Sequence, residues 1–435
     1  MRSLLFKILL PIVALIGIAY PFYGLCIYIG FNIIRPEMLF WGESSNNIIF
    51  KICFIATFIG YLRTRSNPKQ LLSYPEFWLL FWIWVACVLS LLLSEYPLEP
   101  KAWYYCNELL KLWLLGCLIL GICYKNEHVV KLEMILIGCM TFIAVWGVEQ
   151  YFGGNPRLEG LGGDSWGDSN SVAAVGVLFF PVALNYAIRA NGYKKKLISL
   201  FSTIVIVAMI IFTQSRGGFL GLLFAYFSFV FFCPYNKKKL IVAGAVMCLL
   251  VSPLLAKTYI QRLETISFES HEADFSAGSR PVLWQAGLLM FIDHPFFGAG
   301  LLNFAQAKGQ YKNQLSDKID QELLEYSFRD YKVGHGFYFT QLMAEGGLLL
   351  TIPYTLLIGG FFIGAWRVRK KSYHDDDLQL IGLLAGVEAG IVGHCICIIF
   401  INALFLYFLP IQLLVGRQIV RNLEASSNDR LRGAL

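Results

Sequence analysis

Apolar runs of about 17–25 residues recur from Leu4 to Gly416, each long enough to cross a bilayer as a helix. A helix satisfies its own backbone hydrogen bonds, so such a series commits the chain to a helical membrane fold. Little sequence is left between the runs for a separate soluble core. Composition agrees: 57% of the 435 residues are hydrophobic and 15% are charged, where soluble domains have about 45–50% and about 25%. The expected fold is an all-α integral membrane protein with about 12 transmembrane helices, a single polytopic domain over residues 1–435.

Spans are expected near 4–30, 47–62, 77–94, 107–124, 129–151, 170–188, 197–214, 217–233, 239–256, 338–366, 379–398 and 400–416. The first holds Pro11 and Pro21 and is read as one kinked crossing. Arg2 and Lys7 precede it as in a signal sequence, but no A-x-A cleavage site follows, so it is expected to be retained. With these spans, the short loops rich in Lys and Arg and both termini fall on one side, which the positive-inside rule makes the cytoplasm. The other face receives the loops near 31–46, 95–106 and 152–169, the tight turn at 215–216, the long segment 257–337 and the turn near 399. The net charge of +7 is thus an orientation signal, with no nucleic-acid partner implied. The polar tail 424–435 is expected to be disordered.

All eleven cysteines lie in or beside apolar runs, so no disulfide framework is expected. Cys395 and Cys397 diverge on a helix and lack a second pair, so no metal site is expected there. Glu133, Glu388 and His394 interrupt spans and are read as structural or proton-path candidates.

The unusual chemistry lies on the outward face. Arg216 sits in Gln214-Ser215-Arg216-Gly217-Gly218, between two apolar runs on the side where arginines are sparse. It is either a snorkelling side chain or an anion site, in which a guanidinium and glycine-flanked N–H groups hold phosphate oxygens. Arg280 lies in Ser279-Arg280-Pro281, where Pro281 is expected to open an amphipathic helix that carries Trp284 and ends at Asp293-His294-Pro295. Arg280 would then stand near that helix's N-terminus, where a cation opposes the dipole unless an anion is bound. Residues 317–331 are expected to form a charged, solvated helix. His335, flanked by Gly334 and Gly336 and followed by Tyr338, has an unshielded imidazole whose ordinary pKa near 6.5 suits proton abstraction. The loop near 152–169 supplies Arg157, Asp168 and Asn170; the last two either orient a polyol or cap the next helix.

Four blocks, in order, resemble the O-antigen ligase and O-antigen polymerase superfamily of bacterial polytopic glycosyltransferases. They are Asp168-Ser169-Asn170, then Thr213 to Gly218, then Gly278-Ser279-Arg280 with Trp284 and Asp293 to Gly300, and finally His335 with Gln341, Glu345 and Gly346-Gly347. The resemblance covers roughly residues 45–416. Arg35-Pro36-Glu37 with Trp41-Gly42 also looks like the start of a subgroup of O-glycosylation ligases associated with exosortase systems.

The resemblance implies a GT-C-like architecture in the bacterial inner membrane and transfer of a glycan from undecaprenyl diphosphate to an acceptor hydroxyl on the periplasmic face. The acceptor is lipid A core, another hydroxyl, or a second lipid-linked repeat unit as in a polymerase. It implies that Arg216 and Arg280 hold the diphosphate and that His335 activates the acceptor, although Gly336 and Phe337 stand where the family usually has a small polar residue. Arg157, Asp168, Asn170, Gln214, Ser215, Trp284 and Tyr338 are the expected substrate-binding residues. No cofactor or metal is expected, because arginines can carry the leaving-group charge. A transporter or lipid flippase remains the alternative of another class.

Overall fold

The structure is a computed structural model that describes residues 2–35, 48–64, 68–97, 99–155, 157–161, 166–251, 275–316, 319–329, 336–370, 377–404 and 406–433. These residues form helices and connecting turns, with no strand among them. The principal helices are α1 (Arg2–Ala19), α2 (Pro21–Ile34), α3 (Ile48–Arg63), α4 (Pro75–Leu92), α5 (Ala102–Ile122), α6 (Asn126–Phe152), α7 (Ser169–Arg189) and α8 (Tyr193–Phe212). They continue as α9 (Arg216–Phe232), α10 (Lys237–Val251), α11 (Phe275–Asp293), α12 (Gln321–Ser327), α13 (Gly347–Arg369), α14 (Leu378–Ile398) and α15 (Phe408–Gly433). A π-helical segment, Phe337–Glu345, leads into α13.

Among the described residues, seven helices, α4 to α8 with α13 and α14, are long and apolar enough to cross a membrane; Leu10–Ala19, Pro21–Ile34 and Arg216–Phe232 are shorter apolar helices. The Pro21 break leaves α1 and α2 packed together against α3, whose Thr57 and Gly60 approach Gly17 and Gly24. Helices α7 and α14 form the centre and are buried along most of their length. Small residues allow this close approach: Gly386 and Gly390 of α14 face the backbone of α7, and Gly393 faces Gly221 of α9. Without a hydrophobic drive between helices in lipid, such backbone proximity is the main source of packing energy.

Three boundaries differ from the sequence reading. Helix α11 begins at Phe275, so Pro281 lies inside it and Arg280 is more than a turn beyond its start. Arg280 therefore does not stand at the positive end of that helix. The last helix begins at Phe408 because the preceding stretch is pinned in a turn: Gln341 Oε1 accepts from the N–H groups of Ala403 and Leu404 at 2.7 and 3.0 Å. That helix then runs through Gly433, past Glu424, where polarity had suggested disorder. Glu76 of α4 is ion-paired with both Arg417 and Arg421 of α15, and Ser426 donates to Asp377, which gives this polar end fixed partners. The interrupting carboxylates are likewise partnered: Glu388 is ion-paired with Arg369, and Glu133 accepts from Gln412.

Helices α11 and α12 and the stretch between them build a small core of their own from Leu283, Ala286, Met290, Phe304, Tyr311 and Leu324. It is fastened to the bundle along one seam. Ala299 and Gly300 donate to the carbonyls of Ala344 and Glu345, Leu348 and Leu349 donate to Pro295 and Phe296, and Ser90 and Ser94 of the α4 end bond Glu345 and Ala299. Glu345 Oε1 accepts from Phe304 N–H. The His294 to Gly300 stretch and the Glu345-Gly346-Gly347 stretch are thus two halves of one joint, with Gly298 at φ +67° and Gly347 at φ +62° lying against each other's backbone.

Candidate functional site

Helix α8 ends at Phe212 and α9 starts at Arg216, so three residues must reverse the chain. Gln214 takes a left-handed conformation at φ +53°, uncommon for a side-chain-bearing residue and costly by about 1–3 kcal/mol. Ser215 then caps α9, its Oγ accepting from Gly218 N–H at 3.1 Å and donating to Asn170 Oδ1 at 2.7 Å. Asn170 lies in the first turn of α7, whose cap is Asp168; one carboxylate oxygen accepts from the N–H groups of Asn170 and Ser171, both at 3.1 Å. Two helix N-termini are therefore clamped side by side, and Arg216 is the first residue of one of them. Their partial positive charge favours an anion at this corner.

Arg280 is brought to the same corner. A Cβ added at Gly217 would sit 3.2 Å from Phe400 Cδ2, and the Arg280 guanidinium lies over the Phe400 ring, 5.7 Å from its centroid. The loop with Arg157 arrives through Leu158, whose N–H donates to the Phe212 carbonyl at 3.1 Å. Burial, and then the neighbouring positive charges of Arg216 and Arg157, hold the Arg280 guanidinium below the usual arginine range. Arg280 Nε is buried with no hydrogen-bond partner, as is Arg157 Nε. Arg157 has a loose pair with Glu159 at 3.7 Å, both groups substantially exposed, which is too weak to neutralise it. Arg216 and Arg157, from two other segments, thus raise the cost of the Arg280 charge, a cost that a bound polyanion offsets.

Trp284, one turn after Arg280, stacks on Phe339 at 5.3 Å and 27° and tilts against Phe400 at 5.9 Å. It also meets the backbone just beyond the predicted base: a Cβ at Gly336, where φ is +148°, would lie 2.6 Å from Trp284 Nε1. Gly336 N–H donates to Asn402 Oδ1 at 3.4 Å. His335 itself lies outside the described residues, but its neighbour Gly336 is held against the helix that carries Arg280. Tyr338 points elsewhere, its hydroxyl donating to Cys395 Sγ at 3.7 Å on α14. His394, on the same helix, is buried with Nδ1 2.8 Å from the Ala174 carbonyl.

Of the residues singled out from sequence, Arg157, Asp168, Asn170, Gln214, Ser215, Arg216, Arg280 and Trp284 converge. Phe339, Phe400 and Asn402 join them without having been singled out. Phe400 offered no signal, since an aromatic residue at the edge of an apolar run looks like the start of another span.

Residues 201–355 match a family model described as O-antigen ligase, and residues 1–186 match a family of unknown function. A comparison with curated proteins finds no match. The second match takes in Arg157, Asp168 and Asn170, and the first takes in Gln214 through Tyr338; Phe400 and Asn402 lie outside both.

Proposed function

We propose, from the match of residues 201–355 to the O-antigen ligase family model, that the chain is a glycan ligase of the bacterial inner membrane. It transfers an oligo- or polysaccharide from undecaprenyl diphosphate to the hydroxyl of lipid A core or another acceptor. The observation that carries this reading is the cluster of Arg157, Arg216 and Arg280 at paired helix N-termini, beside the backbone that follows His335. In this reading about 12 crossings leave both termini in the cytoplasm and the long loop in the periplasm, where it walls the site.

A sugar on a lipid diphosphate already has a good leaving group, so the protein needs cations to stabilise the departing charge and a base for the incoming hydroxyl. His335 removes the acceptor proton, the acceptor oxygen bonds to the anomeric carbon, and the bond from that carbon to the diphosphate oxygen breaks. Undecaprenyl diphosphate leaves against Arg216 and Arg280, with Arg157 adding charge at the rim. Asn170, Gln214 and Ser215 shape the corner, Trp284 packs beside it, and Tyr338 ties the π-helical segment to α14 through Cys395. The arginines supply the positive charge, and the reaction proceeds without a metal.

The test is transfer by the purified protein given undecaprenyl-diphosphate glycan with and without an acceptor, in excess EDTA. Product only when acceptor is present, insensitive to EDTA, is expected. Chain growth from donor alone identifies a polymerase, and loss of activity restored by Mg²⁺ overturns the metal-free mechanism.

A further inference from the structure

We propose that Phe400 is a positioning residue for Arg280, holding its guanidinium at the anion corner through the face of its ring in place of an acidic partner. The inference rests on the diphosphate-clamp reading above, and it concerns a residue outside both family matches.

A buried arginine is normally fixed by a carboxylate, and an arginine fixed that way has lost most of its attraction for a ligand anion. Elsewhere in this chain that is the rule: Arg369 pairs with Glu388, and Arg417 and Arg421 pair with Glu76. Arg280 differs. Arg369 and Arg421 also lie over rings, Phe232 and Tyr74, but each has a carboxylate as well; Arg280 has no ion pair among the described residues, its Nε is buried without a hydrogen-bond partner, and its guanidinium rests 5.7 Å from the Phe400 ring centroid. An aromatic face attracts a cation through its quadrupole without cancelling its charge. It therefore orients the guanidinium and leaves its hydrogen-bonding edge for oxygens.

Trp284 tilts against the ring at 5.9 Å, Gly217 leaves it room by having no Cβ, and the turn just beyond it is tied down by Gln341 at Ala403 and Leu404. Since Gly217 follows Arg216 directly, Phe400 also sets the spacing between the two arginine segments. A phenyl ring that touches both is well placed to keep two like charges close enough to share one diphosphate.

The test is binding of inorganic pyrophosphate to the detergent-purified full-length protein, with its melting temperature recorded in parallel. The variants are Phe400→Leu, Phe400→Met, Phe400→Tyr, Phe400→Trp and Arg280→Ala. Removing the ring face is expected to weaken pyrophosphate binding by about 10-fold in the Leu and Met variants. The Tyr and Trp variants, which keep a π face, should stay within about 3-fold of wild type, and melting temperatures should stay close. The inference is overturned, and the clamp survives, if wild type binds pyrophosphate through Arg280 while Phe400→Leu and Phe400→Met bind equally well, or if all four ring variants lose binding alike. If Arg280→Ala binds as wild type does, or neither binds, the clamp reading fails and the role of Phe400 fails with it.

Discussion

Gly336→Ala is the substitution whose cost the structure specifies most closely. At φ +148° an alanine is strained, by about 1–3 kcal/mol. Its Cβ would also lie 2.6 Å from Trp284 Nε1, closer than any relaxed contact, and 3.1 Å from the Ile399 carbonyl, which is tight. Trp284 has little room to yield, being stacked on Phe339 and set against Phe400. Restoring ordinary van der Waals separation therefore displaces the backbone at 336 by roughly 1 Å. A displacement of that size at a reacting group costs on the order of 100-fold in rate, while strain and overpacking together cost about 2–4 kcal/mol in stability. The assay is glycan transfer normalised to folded protein, with Gly359→Ala as control, since a Cβ there meets nothing within 4 Å. The control should transfer at the wild-type rate and Gly336→Ala about 100-fold more slowly. Full activity in Gly336→Ala would refute the claim that this backbone holds the base against the arginine helix.

Other perturbations separate the clamp from the scaffold. Arg216→Ala and Arg280→Ala should each lower turnover by about 100-fold or more, with lysine recovering only part of it because it lacks the bidentate fork; steady-state transfer at saturating donor measures this. Ser215→Ala removes a helix cap and the link to Asn170, and should cost about 1–2 kcal/mol, read as a lowered melting temperature with a few-fold drop in rate. Glu76→Gln leaves Arg417 and Arg421 without their shared carboxylate and should destabilise by about 3–5 kcal/mol. Thermal unfolding in detergent should show that loss, with transfer per folded molecule unchanged.

How much of this was legible in the sequence depended on the kind of signal. Apolar runs such as 170–188 and 379–398 announce their helices because nothing else accounts for so long an uncharged stretch, and α7 and α14 fall within a residue or two of those limits. Ends were harder. Pro281 suggested a helix start, yet α11 begins at Phe275, because proline tolerance depends on which carbonyl its missing N–H would have bonded. The run at 400–416 looked like one span, but its first residues form a turn fixed by Gln341, 62 and 63 residues from the N–H groups it accepts, which no local pattern encodes. Arg216 and Arg280 were visible as charges out of place. Phe400 was not, because its importance lies only in what it touches.

The central claim is that the chain breaks the bond between a glycan and a lipid diphosphate. Its most direct test is the release of undecaprenyl diphosphate by purified protein in proteoliposomes loaded with labelled lipid-linked glycan and acceptor. Release matching glycan transfer mole for mole, and abolished in His335→Ala, Arg216→Ala and Arg280→Ala, is the predicted result. Intact lipid-linked glycan moved across the bilayer, with no free undecaprenyl diphosphate, would contradict it and mark the protein as a transporter.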